Sequence, residues 1–138
     1  MTRASGRRAD LERRCELIEQ AYELMLAYAA QGLSGDAGSQ PGGQLRVMLE
    51  QATAAMRGIA AQYGAVTEEE NWQPRDSYNR FLAVLERDAG DALAAVEMVI
   101  AQPSISSQLV DNLNASIHVR ALLTDLFLID EILASGKA

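Results

Sequence analysis

The stretch SISSQLVDNLNASIHVRALLTDLFLIDEILA, residues 104–134, decides the fold of this chain. From Ile117 onward most of its residues are apolar, and together they cover more than the arc of about 100° that a one-sided amphipathic helix buries. We therefore predict one long helix over 105–134 that packs against neighbours on more than one side. The polar first half of this helix changes to the apolar second half at His118 and Arg120.

Three further segments carry a helical spacing. In each of them apolar residues recur at alternating steps of four and three, as on one stripe of a helix. Cys15 falls on this inner stripe in the first segment, where we predict an inert core thiol, and Tyr63 falls on it in the second. Gly32 and Pro103 follow the first and third segments, and both residue types commonly end helices. Gly58 is an internal weak point of the second segment, because glycine has a low helix propensity. The predicted helices span 10–31, 44–63, 75–102 and 105–134.

The junction before the third helix has its own signals. Thr67 and Glu70 have the spacing of a capping box, which predicts a short helical turn over 67–72. Pro74 then separates this turn from the next helix. Trp72 lies at the junction, where we interpret it as a buried hinge residue, with stacking on a ligand as the alternative.

These elements predict an all-α fold. Because most connections are short, the four long helices are expected to form an antiparallel four-helix bundle. The length of the chain is typical of one domain, which we place at 10–138. Residues 1–9 hold three of the twelve basic residues and no apolar run, so we predict that they form a disordered basic tip.

Composition narrows the class of protein. The net charge of −7 disfavours nucleic-acid binding, because an acidic body repels a phosphate backbone. No run of about 20 uncharged apolar residues is present, so no membrane-spanning helix and no membrane partner are expected. Cys15 is the single cysteine and cannot form an internal disulfide. A soluble cytoplasmic protein is therefore the expectation.

The residue types also restrict the chemistry. A structural zinc site needs four nitrogen or sulfur ligands, and this chain has one histidine and one cysteine. The Glu-x-x-His motifs of di-iron bundles and the glycine loops that bind phosphate are missing, so we predict no metal and no cofactor. His118 has Asn114 four residues before it and Asp125 seven after it, on one helical face. No nucleophile motif accompanies them, and we assign no catalytic residue.

Polar residues near the point where the last predicted helix changes from polar to apolar are instead candidates for contacts with a ligand or a partner. An arginine on a nearly apolar helix must either reach solvent or find a carboxylate on another element. His118 is interpreted first as part of a polar strip at a helix surface or interface. The candidate residues are His118, Arg120, Asn114, Asp125 and Trp72.

The apolar surplus of the last helix favours an interaction protein over an enzyme. We expect a small cytoplasmic adaptor, regulator or chaperone-like protein that self-associates, most simply as a dimer, or binds a partner helix in a groove. The alternative is an enzyme or small-ligand carrier with an interhelical pocket near His118 and Arg120. The predicted interface residues are Leu122, Leu123, Leu126, Phe127, Ile129 and Leu133.

Overall fold

Six α-helices account for most of the chain in a computed structural model that describes residues 3–136, with side chains described for 6–136. No strand occurs within residues 3–136, so the predicted all-α class is confirmed. The predicted antiparallel four-helix bundle is not confirmed as such, because two of the four predicted helices are interrupted. The helices are α1 (Arg3–Ala29), α2 (Gln40–Met56), α3 (Ile59–Glu69), α4 (Arg75–Ile100), α5 (Ser107–Ala115) and α6 (His118–Ser135).

Each interruption lies at a residue with a left-handed backbone. Gly58 has φ of 70° and separates α2 from α3 within the segment predicted as one helix over 44–63. Ile117 has φ of 62° and separates α5 from α6 within the segment predicted over 105–134. Glycine adopts this conformation readily, whereas it is uncommon for a β-branched residue. The second break was therefore not visible as a sequence signal.

The ends of the helices also differ from the predictions. Thr67 is fully buried near the end of α3, and its hydroxyl donates to the carbonyl of Gly64 at 3.0 Å. The predicted helical turn at 67–72 with a capping box at its start is therefore wrong: these residues end a helix rather than begin one. The other difference is at the amino end, where the disordered tip was predicted over residues 1–9 but α1 includes residues 3–9. Residues 1 and 2 of that prediction lie outside the described residues.

The hydrophobic core is built around α1 and α4, each of which contacts four other helices. α1 contacts α2, α3, α5 and α6, whereas α4 contacts α2, α3, α5 and α6. Burial of a large apolar side chain stabilises a fold by roughly 1.5–3 kcal/mol, so these shared contacts carry most of the stability. The largest fully buried side chains are Tyr28, Tyr63, Ile18, Met25, Leu45, Leu49, Ile59, Leu85, Ile105, Leu122, Leu126 and Ile129.

The glycine-rich connection after α1 is held in place by a charged contact. Arg46 donates from Nε to Asp36 Oδ2 at 2.6 Å, and its Nη1 and Nη2 donate to the carbonyls of Ile100 and Gln102 at 2.9 and 2.8 Å. Asp36 Oδ1 accepts from the backbone N–H of Ile105 at 2.6 Å. The Arg46 guanidinium and this backbone donor hold the pKa of Asp36 below its ordinary value. This contact joins the connection, α2 and the α4–α5 junction.

A second set of hydrogen bonds ties the end of α1 to the start of α5. The Tyr28 hydroxyl donates to the Ile105 carbonyl at 2.7 Å, and the Ser107 hydroxyl donates to the Tyr28 carbonyl at 2.6 Å. Ser107 also exchanges hydrogen bonds with Leu33, whose N–H donates to Ser107 Oγ and whose carbonyl accepts from Ser107 N–H, both at 2.9 Å. Buried polar groups at this corner are thereby satisfied within the fold.

None of the helices in residues 3–136 has the length and apolar character that crossing a membrane requires.

Replacement of Arg46 by alanine is expected to lower the free energy of unfolding by about 2 kcal/mol. The change leaves the Asp36 carboxylate without its cation and frees two carbonyls. A hydrogen bond to a charged group has a net contribution of roughly 1.5–3 kcal/mol, and water reaches this partly exposed site to replace some of the lost partners. Urea denaturation measures the change. Arg80→Ala is the control, because Arg80 is largely exposed and contacts Asp76 at 3.6 Å, and equal losses for both variants would contradict the prediction.

Gly42 and Gly43 form a matched pair at the start of α2. A Cβ on Gly42 would overlap the backbone of Asp36, whereas a Cβ on Gly43 would meet nothing. We expect Gly42→Ala to destabilise the protein by about 1–3 kcal/mol through overpacking. Gly43→Ala should instead stabilise by about 0.5–1 kcal/mol, because alanine favours helix. Thermal and urea unfolding of the two variants would contradict this if both moved in the same direction.

Candidate functional site

The predicted candidates His118 and Arg120 both lie exposed in the first turn of α6. Neither side chain makes a hydrogen bond or ion pair within the described part of the chain. Asn114 is on α5, beyond the break at Ile117, so it does not share a continuous helical face with His118. Its Nδ2 donates to the carbonyl of Met25 at 3.3 Å, whereas its buried Oδ1 has no partner. The structure therefore does not join Asn114 to His118.

Trp72 is far from these residues. Its indole N–H donates to Glu70 at 2.9 Å, and its ring lies 6.0 Å from the ring of Tyr78, measured between centroids. A Cβ on Gly136 would overlap the indole, which places Trp72 against the carboxyl end of α6. His118 begins the same helix of 18 residues, about 27 Å away at 1.5 Å per residue. Trp72 and His118 cannot contribute to one small site.

Asp125 lies half-buried on α6 and faces Asp88 on α4. Its Oδ2 is buried without a hydrogen-bond partner in the described residues. Desolvation, together with the neighbouring carboxyl group of Asp88, raises the pKa of Asp125 to about 7. Two ionised carboxylates at one helix–helix contact repel each other, so one proton shared between them stabilises the contact.

Most of the predicted interface residues belong to the core of this chain. Leu122, Leu123, Leu126, Ile129 and Leu133 are all at most 5% exposed, whereas Phe127 is 51% exposed. The breadth of the apolar surface on α6 is explained by its neighbours, since α6 packs against α1, α4 and α5. Five of the six residues are thus unavailable to a partner while the protein is folded.

A different set of α6 residues forms the exposed surface. We define the outer face of α6 as Arg120, Thr124, Phe127, Leu128, Glu131 and Ile132, which recur at helical spacing and are all exposed. Leu128 and Ile132 are 51% and 40% exposed. Beside this face, an open groove of about 330 Å³ runs between α6 and α4. The groove is lined by Pro74, Ser77, Tyr78, Phe81, Leu128, Ile129 and Ile132.

Polar side chains from three helices converge around Asp130, which is itself half-buried. Tyr63 on α3 donates from its hydroxyl to Asp130 Oδ1 at 2.5 Å. Cys15 on α1 lies 3.6 Å from Asp130 Oδ2 and 3.2 Å from the Tyr63 hydroxyl. Sequence spacing had placed Tyr63 and Cys15 on inner stripes but had not singled out Asp130. Its position four residues after Leu126 and three before Leu133 was the available signal.

Burial governs the protonation of this cluster. Desolvation raises the pKa of Asp130, while the hydrogen bonds from Tyr63 and Cys15 lower it in part. Desolvation likewise raises the pKa of Cys15 to about 12 and raises that of Tyr63. Cys15 is therefore a neutral thiol at physiological pH and a poor nucleophile, as the predicted core position implies.

A small pocket opens beside the cluster. It has a volume of about 220 Å³ and is lined by Arg8, Leu11, Glu12, Tyr63, Asp130, Leu133 and Ala134. Arg8 is held away from Asp130 by Glu70, which accepts from Arg8 Nε at 2.7 Å and from Nη2 at 2.5 Å. In residues 3–136, no group of three or more His, Cys, Asp or Glu side chains is arranged to hold a metal ion.

Comparison of the chain with protein-family models, with curated proteins and with solved structures found no match.

The Asp125–Asp88 pair predicts how stability depends on pH. Because the pKa of Asp125 is raised on folding, the folded protein binds more protons than the unfolded chain between about pH 4 and pH 7. This contribution to stability is present below pH 4 and is lost as the pH rises to 7. Asp125→Asn removes the ionisation, so the variant should be more stable than the original chain at pH 8 by about 1–2 kcal/mol, allowing for solvent screening.

Urea denaturation at a series of pH values between 4 and 8 measures this difference. Asp111→Asn, at an exposed position on α5, is the control and should leave the pH profile unchanged. A constant difference between Asp125→Asn and the original chain at every pH would show that Asp125 is not the responsible group.

Proposed function

We propose that this protein is a small helical interaction protein that pairs with a second copy of itself through the outer face of α6. The observation that carries this proposal is a pair of half-exposed apolar side chains, Phe127 and Leu128, at the centre of the outer face. A positive charge lies on one side of this pair along the helix and a negative charge on the other, and neither is paired in the described part of the chain. Arg120 precedes this centre and Glu131 follows it, and neither makes an ion pair within residues 6–136. Exposed aromatic and aliphatic side chains grouped in this way are typical of interfaces.

The order of the charges favours an antiparallel pair. Arg120 and Glu131 are eleven residues apart on the same helical face, a distance of about 16 Å along the axis. If two copies of α6 cross about a two-fold axis, Arg120 of each copy lies opposite Glu131 of the other. Phe127 of each copy then lies near Thr124 of the other. Such an interface uses the same patch twice, as expected of the commonest homodimers.

The scaffold that we propose for this surface is a four-helix bundle of α1, α2, α4 and α6. Each of these helices contacts the next around a closed ring, α1 with α2, α2 with α4, α4 with α6, and α6 with α1. The shorter α3 and α5 would then be additions to the bundle. In this arrangement α6 keeps one side toward the core and one toward a partner.

The same surface would suit an adaptor, a regulator or a chaperone-like protein, and we propose dimerisation as the property that these roles would share. The groove beside Phe81 would add apolar area at the edge of the interface. The free and buried Cys15 fits a reducing compartment, and we propose the cytoplasm as the place of action. A pocket near His118 and Arg120 receives no support, because both side chains are exposed.

Sedimentation equilibrium over a concentration series tests the proposal. The original chain should show a reversible monomer–dimer equilibrium, and Phe127→Ser with Leu128→Ser should give a monomer with unchanged helix content. Val47→Ser, at an exposed apolar position on α2, is the matched control and should dimerise normally. A monomer at all concentrations of the original chain would overturn the proposal.

Charge reversal tests the orientation. Arg120→Glu or Glu131→Arg alone should weaken dimerisation about tenfold, since each change places like charges opposite each other at two symmetric positions. The combined reversal should restore the original affinity. If the double variant is as weak as the single variants, the antiparallel arrangement is wrong. If neither single variant has an effect, the outer face of α6 is not the interface.

A further inference from the structure

The Asp130 carboxylate has hydrogen-bond donors but no neighbouring cation in direct contact. Tyr63 and Cys15, which are 0% and 6% exposed, hold its two oxygens at 2.5 and 3.6 Å. These contacts orient the group without neutralising it. Removal of an ionised carboxylate from water is costly unless a positive charge compensates for it, and the raised pKa of Asp130 reflects that cost.

The basic side chain in the pocket does not pair directly with Asp130. Arg8 lines the same pocket, but both its Nε and Nη2 donate to Glu70, and Arg8 makes no ion pair with Asp130. The Glu70 carboxylate also accepts a hydrogen bond from the indole of Trp72, and this contact holds Glu70 in place beside Arg8. Arg8 therefore acts on Asp130 only through its charge at a distance, which lowers the pKa of Asp130 in part. With Glu70, Asp130 and the exposed Glu12 around this one guanidinium, the pocket retains an excess of negative charge.

The rest of the pocket is apolar. Leu11 on α1 and Leu133 and Ala134 on α6 form walls beside the carboxylate. Its volume of about 220 Å³ is smaller than the roughly 300–1,000 Å³ of sites for drug-sized ligands. A suitable ligand therefore has only a few non-hydrogen atoms, with one charged end and one apolar end.

We infer that the pocket between α1, α3 and α6 binds a small alkylammonium ion, with the ammonium group on Asp130 and the alkyl chain against Leu11, Leu133 and Ala134. The excess negative charge disfavours an anion. A divalent metal would need more ligands than the pocket presents, since hard cations take six or more oxygens or waters. A neutral alcohol would fit the walls but would leave the carboxylate without its counter-ion. This inference is independent of self-association, because its residues are not those of the outer face of α6.

The probe for this site is n-butylammonium, followed by ¹H–¹⁵N NMR titration at constant ionic strength. Saturable shifts should appear in the amides of Leu11, Tyr63 and Leu133, and n-butanol and butyrate at equal concentration should produce none. Asp130→Asn keeps the acceptor for Tyr63 and should weaken butylammonium binding at least tenfold. Asp91→Asn, at an exposed position on α4, should bind as the original chain does.

A second variant guards against a folding defect in Asp130→Asn. Ala134→Leu places a larger side chain on an exposed wall position, so it should fill the pocket and abolish binding without a change in helix content. Absence of saturable shifts with butylammonium would overturn the inference. So would equal binding of n-butanol, or undiminished binding by either Asp130→Asn or Ala134→Leu.

Discussion

The ion pair between Arg46 and Asp36 is the contact through which distant parts of this chain are brought together. One guanidinium on α2 binds a carboxylate in the connection after α1 and two carbonyls at the end of α4. The same carboxylate accepts a hydrogen bond from Ile105, just before α5. Because the connection is rich in glycine and loses much entropy on ordering, it needs such fixed polar partners. With this corner in place, α5 can pack on α1 while α6 turns toward α4.

The opposite end of the molecule is closed by a second charged contact. Arg8 near the start of α1 binds Glu70 after α3, and Glu70 accepts from Trp72, whose ring lies against Gly136 at the end of α6. The start of α1 and the end of α6 are thus connected through the α3–α4 junction. The pocket beside Asp130 lies next to this closure. Arg7, which binds Glu69, and Arg8 therefore have a structural role that composition did not reveal.

α6 has two distinct surfaces, and they suggest distinct roles. Its buried residues face α1, α4 and α5 and belong to the core, whereas Phe127 and Leu128 face outward between Arg120 and Glu131. Asp130 belongs to neither of these two surfaces, because its carboxylate contacts Tyr63 and Cys15. Self-association and ligand binding are accordingly proposed for separate sides of one helix, and each side can be altered without the other.

The sequence by itself determined the all-α class and the approximate course of α1, α2, α4 and α6, because helical spacing of apolar residues is a local property. It also identified Cys15 and Tyr63 as inner residues. Only the tertiary structure decided the break at Ile117, since no residue there favours a left-handed backbone. The break lets α5 pack mainly on α1 and α6 mainly on α4. Likewise only the tertiary structure decided that Leu122, Leu126 and Leu133 are core and that Asp130 meets Tyr63 and Cys15, because these contacts join residues far apart in the chain.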